Sequence, residues 1–291
     1  MAEKNFCLRP KYLDDFKCDG SVCGAKCCRS AWNIGIDAAT YKKYLRLGPK
    51  ISQHLRGDES GEKFFIVHGD GACPFLTADN LCKIQREHGE NFLSQVCASY
   101  PRIITRFENF WEVALSPTCP VAAELVLLQI WPLKFELVEL PKKISRLGAN
   151  NILSGVPRRI APKIVDVQLM MIEILQDRRL SIDERFVALE KFLMPDLSVS
   201  NVGVPAEKKL PPEIETIAEN FLVNEILLNV WPIRLDSDIA TNFKIFFAVY
   251  KIFRRQALTC RTVEEILTVA GEISRDIDHD NEFLQKLEAT Q

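Results

Sequence analysis

Between Phe16 and Trp32 the chain reads Phe-Lys-Cys-Asp-Gly-Ser-Val-Cys-Gly-Ala-Lys-Cys-Cys-Arg-Ser-Ala-Trp. Cys18, Cys23, Cys27 and Cys28 all fall in that stretch, separated by gaps of four, three and zero residues. Gly20 and Gly24 lie between them and let the backbone fold back, so that several sulfurs can face one point. Thiolate is the ligand that soft and borderline metals prefer, and a packed thiol loop has few other stable uses in a reduced compartment. A metal or iron–sulfur site is the reading, with a disulfide-stapled loop as the alternative.

The other cysteines follow the same bias. Cys73, Cys82, Cys97 and Cys119 bring the number in the first 119 residues, apart from Cys7, to eight of the ten in the chain. Cys7 and Cys260 stand away from any ligand-like neighbour and read as small buried hydrophobes. The opening Met-Ala-Glu-Lys-Asn-Phe-Cys has no basic-then-apolar signal pattern. The longest apolar run, residues 121–133, is broken by Glu124 and Gln129 and is too short to cross a bilayer. A cytoplasmic protein is expected, and a reducing cytoplasm favours ligation over disulfides. A net charge of −2 gives no basic field to attract nucleic acid or an anionic membrane.

The organisation expected is α+β and mostly helical: a Cys-rich head over residues 1–120 and an all-helical region over 121–291, with a soft boundary. In the head, residues 1–15 read as an extended lead-in and 32–36 as a short strand. Asp37 is placed to cap a helix. Residues 64–68 and 107–115 have strand character. A hairpin around Asp79-Asn80 would bring Cys73 beside Cys82. His68, next to a Gly-Asp-Gly turn, is a lone histidine and reads first as structural.

Beyond Pro120 the hydrophobic period becomes helical. Helices are expected over 121–131, 163–176, from Pro212 through Leu228, and over 236–254. Ser181-Ile-Asp-Glu184 and Thr262-Val-Glu-Glu265 have the spacing of capping boxes. Phe243, Phe246, Phe247, Tyr250 and Phe253 form an aromatic stripe that reads as core packing. Residues 194–212 read as a loop.

Spacing alone leaves zinc, mononuclear iron and a 4Fe–4S cluster open. No Cys-x-x-Cys pair exists, which weakens a zinc ribbon, and adjacent Cys27 and Cys28 cannot readily bind one ion together. Cys23-x3-Cys27 begins a radical S-adenosylmethionine motif, but Ser30 stands where its third cysteine belongs. None of the four histidines lies beside a cysteine, against a nucleophilic Cys–His pair. Glycine-rich phosphate and dinucleotide loops are absent.

Taken together, Phe-Lys-Cys18-Asp-Gly-Ser-Val-Cys23-Gly-Ala-Lys-Cys27-Cys28 and the following Trp32-Asn-Ile-Gly-Ile-Asp resemble the opening of the flagellin lysine-N-methylase (FliB) family. Cys73-Pro-Phe-Leu, Leu81-Cys82-Lys-Ile-Gln, Cys97-Ala-Ser-Tyr-Pro-Arg102 and Ser116-Pro-Thr-Cys119-Pro continue the likeness in order across residues 8–125. Shorter cysteine-cluster proteins of the YkgJ type share some of these elements. The resemblance implies methyl transfer from S-adenosylmethionine to lysines of flagellin, and a 4Fe–4S cluster held by the motif cysteines. Such chemistry needs a cation-friendly donor pocket and a neutral lysine amine. Tyr100 and Arg102, fixed beside Cys97 by Pro101, and Trp32, just after Cys28, are the candidates to line that pocket. The alternative function is a non-catalytic zinc- or iron-binding protein.

Overall fold

The computed structural model describes residues 4–29, 34–58, 64–66, 71–154, 156–196, 210–233, 238–279, 283 and 286–287. In chain order the strands are β1 (Phe6–Pro10), β2 (Ile34–Ile36), β3 (Leu55–Gly57), β4 (Phe64–Ile66), β5 (Arg102–Phe107), β6 (Phe110–Leu115), β7 (Phe135–Glu139) and β8 (Asn151–Ile152). The first six helices are α1 (Gly20–Cys23), α2 (Ala38–Leu45), α3 (Pro49–Ser52), α4 (Lys83–His88), α5 (Gln95–Ser99) and α6 (Pro120–Leu127). Then come α7 (Lys142–Leu147), α8 (Ala161–Leu175), α9 (Ile182–Leu193), α10 (Pro212–Leu228), α11 (Ile239–Ala257) and α12 (Val263–His279). The fold is mixed α+β, with sheets early in the chain and helices α8 to α12 late, as the sequence led us to expect. No helix among the described residues is long and apolar enough to cross a membrane.

Two compact units emerge. One gathers Met1–Phe16, Pro101–Lys142 and Asn151–Gln291; the other gathers Lys17–Tyr100 and Lys143–Asn150.

In the first unit the five-stranded sheet runs β7-β1-β6-β5-β8. β6 is buried along all six residues, as a central strand covered on both faces must be. β5 and β6 form a hairpin, Phe107 opposite Phe110, where the sequence suggested one strand over 107–115. The turn is made by Glu108, which adopts φ 52°, and Asn109. The expected helices are present, with small shifts at their ends. The predicted helix over 121–131 ends at Leu127. Ser181 makes both hydrogen bonds of its capping box with Glu184, and Thr262 Oγ1 accepts from Glu265 N at 3.2 Å. The aromatic stripe of α11 is buried throughout, with Phe186 of α9 stacked on Tyr250 at 4.8 Å. Most of the predicted 194–212 loop lies outside the described residues.

Helix α10 is enclosed from Ile217 to Leu228, yet it carries a row of polar residues. Each has a defined partner. Glu219 accepts from Arg178 and Arg185, and Asn220 Nδ2 donates to the carbonyls of Leu127 and Gln129 at 3.0 and 2.8 Å. Asn224 Nδ2 donates to Leu115 O at 3.0 Å, while its carbonyl accepts from the Tyr12 hydroxyl. These bonds satisfy backbone groups at the ends of β6 and α6, which burial would otherwise penalise.

Glu112, in the middle of β6, is 0% exposed and receives one bond, from Gln168 Nε2 of α8 at 3.2 Å. Burial outweighs that bond and pushes its carboxyl from 4.5 up to about 8. The folded unit therefore holds Glu112 protonated at neutral pH, while the unfolded chain has already released the proton. The stability this provides is complete below about pH 4.5, falls by about 1.4 kcal/mol per pH unit above it, and is gone past about pH 8. Glu112→Gln is expected to flatten that decline in urea titrations run across the same pH range. A decline as steep as the parent's would contradict the assignment.

The second unit holds a three-stranded antiparallel sheet, β2-β4-β3, with Ile34 opposite Ile66 and Leu55 opposite Ile66 on the other edge. Its core is Ile36, Tyr44, Ile51, Leu55, Ile66, Phe75 and Ile84, with Cys73 and Cys82 packed against it. Asp37 caps α2 as expected, accepting from Thr40 N at 2.8 Å.

Candidate metal centre

The thiol-rich loop is folded by local rules. Asp19 caps α1 through Oδ1, which accepts from Ser21 N at 2.9 Å and Ser21 Oγ at 2.6 Å. Gly24 ends the turn at φ 65°, the left-handed cap that glycine adopts without a Cβ penalty. Ala25 continues at φ 53°, a conformation costly for a side-chain-bearing residue, and its N–H reaches Gly20 O at 2.9 Å. A short 3-10 turn over Lys26–Arg29 follows and carries Cys27 and Cys28.

A second segment meets this loop. Cys73 N donates to Cys28 O at 2.6 Å, which ties the two together. Thr77 then closes a tight turn: its N–H and Oγ1 both bond Leu81 O, and Asn80 sits at φ 61°. The turn returns the chain so that Cys82 pairs with Leu76 across an isolated bridge, the hairpin that Asp79-Asn80 suggested. Cys97 arrives on α5, whose cap Ser94 accepts from Cys97 N at 3.2 Å.

The sulfurs of these segments feel one another. Burial pushes the Cys97 thiol up to about 11, with the charges of Cys82, Cys27 and Cys18 adding to the rise and Ser94 opposing it. Cys73 is driven up to about 12, chiefly by burial and then by Cys97, Cys82 and Cys27. Cys27 and Cys28 lie with sulfurs 3.9 Å apart and share a hydrogen bond. That bond holds Cys27 low, to about 7, and Cys28 high, so the pair gives up one proton readily and keeps the other. Tyr44, 1% exposed, belongs to the same neighbourhood: burial raises its hydroxyl first, and Cys97, Cys82 and Cys73 raise it further.

Six of the eight motif cysteines, Cys18, Cys27, Cys28, Cys73, Cys82 and Cys97, therefore share one electrostatic neighbourhood in the second unit. The Cys23 sulfur donates locally, to Gly20 O at 4.0 Å. Cys119 belongs to the first unit, buried at the cap of α6. Among the described residues no three Cys, His, Asp or Glu side chains already converge tightly enough to hold a metal ion. The donor chemistry nonetheless fits a thiolate-bound group. Six sulfurs exceed the four that a tetrahedral ion or a 4Fe–4S cluster requires, and mutual repulsion among them is what a bound cation would relieve.

Tyr100 forms the C-cap of α5, the helix that carries Cys97. Arg102 opens β5, and its guanidinium lies over the Phe16 ring at 5.0 Å. Trp32 and His68 lie outside the described residues. Cys7 is a buried core thiol, raised to about 12 by burial; Cys260 is half-buried, with its sulfur on Gln256 O. Ser94, Tyr44 and Arg29 were missed by sequence reasoning, which saw Asn80 only as a hairpin residue. Ser94 stands three residues before Cys97, the spacing of a cap, and Asn80 is a residue type that tolerates the left-handed turn. Tyr44 carried no signal beyond its helical position.

Comparison with known proteins gives a consistent set of relatives. The chain is 31% identical to the "Flagellar biosynthetic protein FliU" of Salmonella muenchen, over 40% of this chain and 75% of that one. It is 30% identical to the "Lysine-N-methylase" of Salmonella choleraesuis and to that of Salmonella typhimurium, over 40% of this chain and 31% of each relative. The chain thus covers under a third of the length of either methylase. No family model and no solved structure matches it.

Proposed function

Since the chain belongs to the family of the Salmonella flagellar biosynthetic protein FliU and lysine-N-methylase, we propose that it is a lysine N-methylase acting on flagellin and containing an iron–sulfur cluster. The observation that carries the reading is the likeness to proteins named for lysine methylation and flagellar biosynthesis, joined to a neighbourhood of six thiols. S-adenosylmethionine is the donor proposed. When bound, S-adenosylmethionine would supply an activated methyl group, which the lysine nitrogen would take with its lone pair, the bonding pair staying with the donor's sulfur. The amine must be neutral to attack, so a lysine ammonium gives up a proton first. Nitrogen, methyl and sulfur must lie in line at near-attack distance.

Within this reading Cys18, Cys27, Cys28, Cys73, Cys82 and Cys97 head the pool from which the cluster draws its ligands, and Cys23 and Cys119 remain candidates beside them. A bound iron–sulfur cluster supplies redox-active iron whose potential depends on the surrounding hydrogen bonds and solvent exposure. Tyr100, at the end of the helix bearing Cys97, is the nearest of the pocket candidates along the chain to a ligand. Arg102 and Trp32 are proposed to line the donor pocket with it.

Co-expression of the chain with flagellin, followed by mass spectrometry of flagellin peptides, tests the activity. Lysine peptides are expected to gain one or more methyl increments, and only when the chain is present. Unmodified flagellin in the presence of metal-loaded protein would contradict the methylase reading.

A further inference from the structure

The cysteine loop and the Cys73–Cys82 turn meet through more than one backbone bond. Arg29, directly after Cys28, spans both: its Nε donates to Gly24 O at 3.1 Å and its Nη2 to Asn80 Oδ1 at 2.7 Å. One guanidinium thus ties the cap of α1 to the tip of the turn. At the same contact Gly20 lies so close to Asn80 that a Cβ built on it would stand 2.2 Å from the Asn80 carbonyl oxygen. Asn80 is therefore engaged twice, by its side chain and by its backbone, while holding φ 61°. Cys28 and Cys73, the two thiols joined by the 2.6 Å backbone bond, lie on the segments that these contacts tie together.

We propose that Arg29 and Asn80 form a latch that fixes the Cys18–Cys28 loop on the Cys73–Cys82 turn and so positions their sulfurs for a thiolate-bound metal group. The inference rests on the metal-site reading above and names positioning residues, not ligands. Its physical basis is entropic. Two separate segments carrying five of the six grouped sulfurs must be held in register before a metal can bind them together, and a preformed latch meets that cost in advance. The fork geometry matters as much as the charge. Nε and Nη2 reach two acceptors at once, which a lysine ammonium on its flexible stem cannot reproduce.

The substitutions separate the contributions. Asn80→Gly keeps the left-handed turn available but removes Oδ1. Asn80→Asp keeps an acceptor and tolerates the same backbone. Arg29→Lys keeps the charge and loses the fork. Full-length protein, purified without metal under anaerobic conditions, would be titrated with cobalt(II) and followed by its sulfur-to-metal absorption. In parallel, the rate of maleimide labelling at each cysteine would be mapped by mass spectrometry in the metal-free chain. Arg29→Ala, Arg29→Lys and Asn80→Gly are expected to weaken cobalt binding by roughly 10–100-fold, the scale for residues that support ligands. Asn80→Asp should stay close to the parent. The same three weakened variants should label faster at Cys28 and Cys73, with Cys7 unchanged and the unfolding midpoint preserved. Parent-like cobalt affinity and labelling in Arg29→Ala and Asn80→Gly would overturn the latch. A parent that takes up no cobalt would refute the metal reading instead, and the labelling map would still decide whether the latch exists.

Discussion

Cys97→Ser is expected to strip the protein of its bound metal. Iron recovered after anaerobic purification should drop by at least about 10–100-fold, the scale already seen when only a supporting residue of a metal site is lost. The ionisation of Cys97 is opposed by sulfurs from both of the other segments, Cys27 and Cys18 on one and Cys82 on the other, and Cys97 in turn opposes ionisation of Cys28 and Cys73. Removing it takes away the thiol that α5 brings to the group. Serine keeps the size and the Ser94 cap but offers a harder, more weakly acidic donor that soft metals bind poorly. Methylation of flagellin should vanish with the metal. Cys7→Ser and Cys260→Ser are the controls, since neither residue belongs to the group. Full metal content in Cys97→Ser would remove it from the ligand pool.

The second large effect lies in the helical part of the first unit. Glu219, 1% exposed, accepts from Arg178 at 2.9–3.1 Å and from Arg185 Nη1 at 2.8 Å, and Arg185 is itself only 3% exposed. Arg185 also donates to the carbonyls of Leu175 and Leu180, and Arg178 to Ile130 O. One carboxylate therefore meets both cations that join the end of α8, the start of α9 and the segment after α6. Glu219→Gln leaves the buried Arg185 with only the longer contact to Glu215, at 4.0 Å, as counter-charge, and that change should cost about 3–5 kcal/mol. Chemical denaturation followed by circular dichroism reads it directly. A loss under about 1 kcal/mol, the scale of an exposed pair, would show that the site is open to water.

Much of this architecture was legible because it rests on local rules. The Ser181 box, the Asp37 cap and the Pro212 helix start are set by residues within one turn of each other, and all three are present. The aromatic stripe of α11 was legible because its period leaves one face that only a core can cover. The sheet of the first unit was not. β1 pairs with β6, some hundred residues on, and with β7 on its other edge; nothing within Phe6–Pro10 specifies either partner. The β5–β6 hairpin was missed because its turn, Glu108-Asn109, lacks the glycine that usually announces one, so the strand expected over 107–115 ran through the turn and left most of β5 unassigned.

The site divides the same way. Which residue types would gather was readable, because thiols at that density have few other uses. Cys119 sits in a motif as cysteine-like as the others and is buried at the cap of α6. Arg29 and Asn80 carry no motif, and their pairing spans 51 residues of sequence. Buried groups such as Glu112 and the polar row of α10 also run against composition, since a carboxylate in a run of apolar strand residues gives no sign of the Gln168 that meets it from α8.

The most direct test of the account is to purify the full chain anaerobically, measure iron, acid-labile sulfide and zinc, and record its visible spectrum. A brown protein with about four irons and four sulfides per chain, as a 4Fe–4S cluster requires, and little zinc is expected. A colourless protein that carries zinc alone and stays colourless after iron and sulfide are supplied would contradict it, and would assign the thiol cluster to a non-catalytic metal-binding role.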